Sequence, residues 1–278
     1  MENNLQGHGL ILPTITPDNY VLGGVGDVPK IVLQKDGQWL DFLPDGEWQA
    51  RKNFDTFGCT VYNTIHAEEI LEKRLFEDQV NYAERPVYIS MGITPPGSNP
   101  HLVSEYIRNN GLTREESLPF DDSITSLELY NQPNPLPYEI LYEIKQWYEK
   151  YDYKHEWVML PSHDLKEKQE RLMEALTYSP IGFAVQAWQE RNGLYFQDGE
   201  PNHWTVIIGY KKGEYWIVFD SYEPYIKKLE WDTDISFAKR YFIQKKVATQ
   251  PTKPLTPWQT IQAKLSVLLS SCSHSHYF

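Results

Sequence analysis

The chain has 278 residues, of which 41% are hydrophobic and 14% aromatic, with a formal net charge of −12. That length supports a sizeable core, while the acidic balance argues against a nucleic-acid partner, because phosphate binding needs clustered Lys and Arg. The lysine pairs Lys211-Lys212, Lys227-Lys228 and Lys245-Lys246 are too short to form such a patch, and the sequence holds no apolar run long enough for a membrane span.

In chain order, residues 1–44 read as an extended arm, punctuated by Pro13, Pro17, Gly23, Gly24 and Gly26. Residues 45–250 read as one domain and residues 251–278 as a tail. The stretch 60–76 is free of Gly and Pro, and Val61, Ile65, Ile70, Leu71 and Leu75 spread around much of the helical wheel. A helix apolar on several sides is buried, so Cys59, preceded by Gly58, is expected at the N-terminus of a central helix. A second helix starts at the cap Asn99 with Pro100 in its first turn and ends at Gly111. Two more are expected over residues 137–150 and 164–178. Past Pro180 the pattern changes to strands at 183–188, 203–210 and 214–219, and a last helix is expected at 258–269. Helices first and strands second indicate an α+β fold whose two halves meet at a cleft.

Two cysteines, Cys59 and Cys272, make a poor disulfide framework, and the N-terminus lacks the basic start and apolar core of a signal peptide. A reducing, cytoplasmic setting is expected, or a virion-associated one if the chain is phage-encoded. Cys272 lies in a Ser-rich tail and is read as incidental. Cys59 differs. A thiol attacks a carbonyl as thiolate, and both a helix N-terminus and a neighbouring imidazolium favour that form. A lone Cys on an apolar helix is more often a small core residue, so a partner is needed. Lys212-Gly213 suits a two-residue turn, which pairs Tyr210 with Tyr215 and puts Asp220 across from Thr205. His203 is then on the same sheet face as Thr205 and diagonal to Asp220, within side-chain reach. A carboxylate beside a histidine fixes its tautomer, the orienting role in a nucleophile–base–orienter triad.

The other histidines carry less. His66 is expected to be buried and hydrogen-bonded, His155 and His163 have no spaced partners, and His274 and His276 sit near the end of the chain. No metal site and no cofactor is assigned. Gly23-Gly24-Val25-Gly26 has neither the Lys-Ser/Thr of a P-loop nor a following helix.

The chain resembles the papain-like cysteine peptidases over roughly residues 45–225. His203 follows Cys59 by 144 residues, within the roughly 130–150 typical of that family. Asn202-His203-Trp204-Thr205-Val206-Ile207-Ile208-Gly209-Tyr210 is similar to the family's histidine strand, and Asp220-Ser221-Tyr222 to its Asn-Ser-Trp. Pro96-Gly97-Ser98 is similar to the glycine segment that lines the substrate cleft. Gly111-Leu112 followed by Leu118-Pro119-Phe120 is similar to the run after the second helix. Asp220 stands where many members have Asn, Thr60 where Trp is usual, and the Cys-Gly-Ser-Cys context is absent.

The resemblance implies a papain-like fold, a helical half headed by Cys59 against an antiparallel β half. It also implies hydrolysis of peptide or isopeptide bonds through a thioester acyl-enzyme. Cys59 is then the nucleophile, His203 the base and Asp220 its orienter, with Gly97 and Ser98 binding substrate. The family's oxyanion Gln lies six residues before the cysteine, where this chain has Asn53; Gln49 is the rival. The implied partner is a peptide or protein substrate. A catalytically degenerate papain-like domain, docked into a larger assembly through the N-terminal arm or the C-terminal helix, is the alternative, and an acyl transferase of transglutaminase type is another. The arm also admits reading as an inhibitory pro-segment.

Overall fold

Helix α1, Cys59–Phe76, is the element around which the chain is arranged. Every side chain from Cys59 through Glu72 is buried, which matches the spread of apolar residues around its wheel. The computed structural model describes residues 9–16, 19–24 and 26–247; the helix expected at 258–269 and the Cys272–His276 tail lie outside them. Ahead of α1 a short antiparallel hairpin, β1 (Ala50–Arg51) and β2 (Phe54–Asp55), turns at Lys52 and Asn53.

After α1 come α2 (Glu84–Met91) and α3 (Pro100–Asn110). The Asn99 side chain caps α3 by accepting from the His101 N–H, as the motif requires. A short α4 (Leu127–Tyr130) precedes α5 (Tyr138–Lys150), which runs directly into strand β3 (Tyr151–Trp157). Asp164 caps α6 (Leu165–Leu176) by accepting from the Glu167 N–H.

The remaining strands are β4 (Ile181–Val185), β5 (Gln189–Arg191), β6 (Leu194–Phe196), β7 (His203–Lys211), β8 (Tyr215–Phe219), β9 (Ile226–Glu230) and β10 (Ala238–Lys245). With β3 they form an eight-stranded sheet in the order β3-β10-β4-β7-β8-β9-β6-β5. All its pairings are antiparallel except β6 with β9. Helix α1 packs against the middle strand β7 and against β10 and β4. Trp39, Trp157, Trp204 and Trp216 are fully buried around this layer. Such rings bring large apolar area into a core.

The arm does not stand apart. Trp39 donates its backbone N–H to Ile208 O at 2.8 Å and its indole N–H to Leu176 O at 2.8 Å. Val21 forms a bridge to Trp157, and Leu10 a parallel bridge to Ser98. Residues 9–44, so far as they are described, are therefore laid onto the α+β body.

Candidate active site

The β7–β8 hairpin sets the first pair of side chains. Lys211 pairs with Tyr215, so the loop has three residues (Lys212, Gly213 and Glu214), where two were expected. Tyr210 faces Trp216 and not Tyr215. A bulge between Ile207 and Gly209 then adds one residue to β7, and Val206 pairs with Phe219. The two irregularities cancel, and continuing that register puts Asp220 level with Thr205. His203 Nε2 lies 2.6 Å from Asp220 Oδ1, with both side chains fully buried.

Asp220 gathers three donors. Besides His203, its Oδ2 accepts from Trp188 Nε1 at 2.7 Å and from Lys227 Nζ at 2.8 Å. Burial alone would raise the carboxyl. The His203 and Lys227 charges and hydrogen bonds outweigh it and hold Asp220 well below the usual carboxylate range. With Nε2 bound to a carboxylate, a hydrogen sits on that nitrogen in either charge state, and in the neutral imidazole Nδ1 is the acceptor. Nδ1 is buried and makes no hydrogen bond.

Cys59 is held to the same strand. Its side chain packs in one buried cluster with Trp204, the residue after His203. One turn into α1, Asn63 Nδ2 bonds Cys59 O at 3.0 Å, Trp204 O at 2.7 Å and Ser221 Oγ at 2.9 Å. This amide ties the head of α1 to the starts of β7 and of the segment after β8. Cys59 is fully buried in a small cluster with Trp157, Ala184 and Trp204, on which Leu10, Ile15 and Val21 of the arm pack. Burial pushes the thiol far up, the charges of Asp55 and Asp220 push the same way, and the Trp204 and Thr60 N–H groups only partly offset them. Closure of this arrangement thus disfavours the thiolate.

The arm is what closes it. Ser98 N–H donates to Gly9 O at 2.9 Å, Ile11 N–H to Ser98 O at 2.9 Å, and Leu10 N–H to Asn202 O at 3.3 Å. Residues 9–11 therefore run between Ser98 on one side and Asn202 on the other, across the head of α1. A Cβ built on Gly9 would stand 2.9 Å from Cys59 Sγ and 2.8 Å from Phe57 O. One on Gly97 would stand 2.0 Å from Gly9 O. Only glycines allow this approach, and both have φ in the region that favours glycine, 151° and 120°. Ser98 Oγ also meets Thr60 Oγ1 at 2.5 Å, joining the α3 side of the cleft to α1.

The two oxyanion candidates part company. Asn53 is exposed in the β1–β2 turn. The hairpin consumes the residues that a simple count of six back from Cys59 assumes, so Asn53 does not serve this site. Gln49 is fully buried. It accepts from Ser221 Oγ at 2.7 Å and donates to Tyr222 Oη at 2.7 Å and to Asp55 Oδ1 at 3.0 Å. Tyr222 donates to Asp55 Oδ2, and its ring lies 5.3 Å from that of His203. Asp55 is raised by burial, against the pull of its donors Tyr222, the Phe57 N–H and Gln49.

Trp188 and Asn63 are given no role in the sequence reading, and the contacts of Lys227 and Tyr222 with Asp220 and Gln49 are not foreseen there. The Lys227-Lys228 pair alternates across β9, so Lys227 is buried and only Lys228 faces outward. His66 is buried as expected, but neither of its ring nitrogens has a hydrogen-bond partner.

No protein family matches the sequence as a whole, and no curated protein matches it. Solved structures do match in fold. The clostridial cysteine protease Cwp84, after propeptide cleavage, is similar with a TM-score of 0.55 at 10% identity, covering 75% of this chain and 57% of that one. The ragweed pollen cysteine protease Amb a 11, in its proform, gives 0.52 at 16% identity over 83% and 63%. The digestive procathepsin L 3 of Tenebrio molitor larval midgut gives 0.52 at 14% over 77% and 72%. This chain thus spans less than two thirds of the clostridial and ragweed proteins. The fold is that of the papain-like superfamily.

Proposed function

We propose that this papain-like chain is a cysteine peptidase that hydrolyses peptide or isopeptide bonds through a thioester, held closed by its own residues 9–11. The observation that carries the reading is the buried His203–Asp220 pair with Nδ1 left open, next to Trp204, a strand residue packed in one cluster with Cys59.

With the arm displaced, Cys59 passes its proton to His203 Nδ1 and the sulfur attacks the substrate carbonyl carbon. Asp220 stabilises the imidazolium that forms. The negative oxygen is taken by the free N–H at the head of α1 and by the amide of Gln49, once that amide leaves Tyr222 or Asp55. His203 then protonates the departing amine, giving the thioester. A water activated by the same imidazole hydrolyses it and restores the thiol. Ser98 and Asn202, which now pair with the arm's backbone, are the edges to which an extended substrate would bond. Two of the similar proteins are proforms and a third was solved after propeptide cleavage, which supports reading the arm as a block.

Hydrolysis of a fluorogenic peptide library by the chain lacking residues 1–12 tests this. Activity should appear on truncation and vanish with Cys59→Ala. Turnover that survives Cys59→Ala would refute the mechanism. A folded, truncated chain with no turnover and no faster thiol reaction would favour a binding module.

A further inference from the structure

His66 lies on α1 two turns beyond Cys59. Its imidazole is fully buried, both nitrogens lack a hydrogen-bond partner, and its ring packs on Phe219 with centroids 4.9 Å apart. Buried polar groups are nearly always paired, and an imidazole with two orphan nitrogens calls for a partner. Glu84, in the first turn of α2, is 1% exposed and leaves its Oε1 without a partner. Glu47 is half-buried in the segment before β1. One donor atom from each of Glu47, His66 and Glu84 lies within 4.8 Å of the other two.

We propose that Glu47, His66 and Glu84 form a binding site for one divalent transition-metal ion, with Zn²⁺ the best fit. One imidazole nitrogen and two carboxylate oxygens is a mixed donor set that zinc accepts, whereas Ca²⁺ and Mg²⁺ take oxygen throughout. Donors bound to zinc at about 2.0–2.2 Å sit ~3.4 Å apart in a tetrahedron. Small side-chain rotations close the site from its present spread, and a water completes the fourth position from the half-buried Glu47 side. Two carboxylates balance the ion's charge. The ion would join three segments distant in sequence (the lead into β1, α1 and α2) behind the nucleophile and apart from the cleft.

Equilibrium dialysis of the full chain, stripped with chelator, tests the site with Zn²⁺ and with Co²⁺ as a visible-absorbing substitute. We expect one equivalent of Zn²⁺ at micromolar affinity or tighter and a melting-temperature rise of several degrees. Cys59→Ala and Cys272→Ser should bind as well as the parent. Glu47→Gln should weaken binding at least tenfold and abolish the Co²⁺ spectrum. X-ray absorption of the zinc-loaded parent, independent of any variant, should show nitrogen and oxygen neighbours and no sulfur. No stoichiometric uptake of Zn²⁺ or Co²⁺, a sulfur shell, or uptake unchanged in Glu47→Gln would each overturn the proposal.

Discussion

Asp220 keeps its charge with no exposed surface because three donors converge on it, and the least expected of these is Lys227. The lysine side chain is 2% exposed, 2.8 Å from the carboxylate, and also donates to the carbonyls of Tyr222 and Pro224. Breaking one partner of a buried pair typically costs about 3–5 kcal/mol, because the other charge is left uncompensated. Lys227→Met should lower the urea-unfolding free energy by that order. Combining it with Asp220→Asn should cost clearly less than the sum of the two single losses. Strict additivity would mean the two groups are not coupled. The pH dependence follows the same pair. Asp220 is held below its ordinary value, so its contribution is present above about pH 3.9 and is lost only as pH falls well below that. The start of α1 at Cys59 and the His203–Asp220 pair were legible because a helix start and a strand pair are local patterns. Asn53 was not, since counting back from the cysteine cannot see a hairpin. Lys227 was not, since only the pairing of β9 with β8 shows which of two adjacent lysines turns inward.

Among the elements, the β7–β8 hairpin shows how two offsetting irregularities leave the expected His203–Asp220 pairing in place. Its loop is one residue longer than Lys212-Gly213 alone would make it, and the Ile207/Gly209 bulge restores the register before His203. Bulges depend on packing across the sheet and have no simple sequence signature. Helix α1 was legible as a buried element, but the cost of burying its polar residues was not. Glu68 is fully buried, and neither of its carboxyl oxygens has a partner. Burial, and then the Glu72 charge, raise it well above the ordinary value. In the folded chain this carboxyl is neutral where the unfolded chain ionises it, so it favours folding in acid and becomes a growing penalty as pH rises. Glu68→Met should therefore stabilise the protein, by about 1–3 kcal/mol, and more at pH 8 than at pH 5 in paired denaturation curves. A gain that is larger at pH 5 would contradict the assignment.

At the scale of the whole molecule, the arm packs on the body and on the cluster that holds Cys59. The eight-stranded sheet pairs His203 with Asp220 and packs on α1, which starts at Cys59, while residues 9–11 run across the head of α1 and take up the edges at Ser98 and Asn202. That placement was invisible in the sequence, because an arm of scattered Pro and Gly has no periodicity to say where it lies. It is testable through its own tightest point. Gly9→Val puts side-chain atoms where Cys59 Sγ and Phe57 O already stand, so the arm should lift and iodoacetamide should alkylate Cys59 at least tenfold faster. An unchanged rate would mean the arm does not guard the thiol.

The central claim is that Cys59 is a nucleophile activated by His203 and masked by the arm. The most direct measurement is the rate of epoxide-probe labelling near neutral pH, with mass mapping of the labelled cysteine, before and after removal of residues 1–12. The account predicts slow labelling in the intact chain, then labelling of Cys59 well ahead of Cys272 on removal, and loss of that advantage with His203→Ala. Labelling of the truncated chain that is equally slow at both cysteines, or indifferent to His203→Ala, would contradict it.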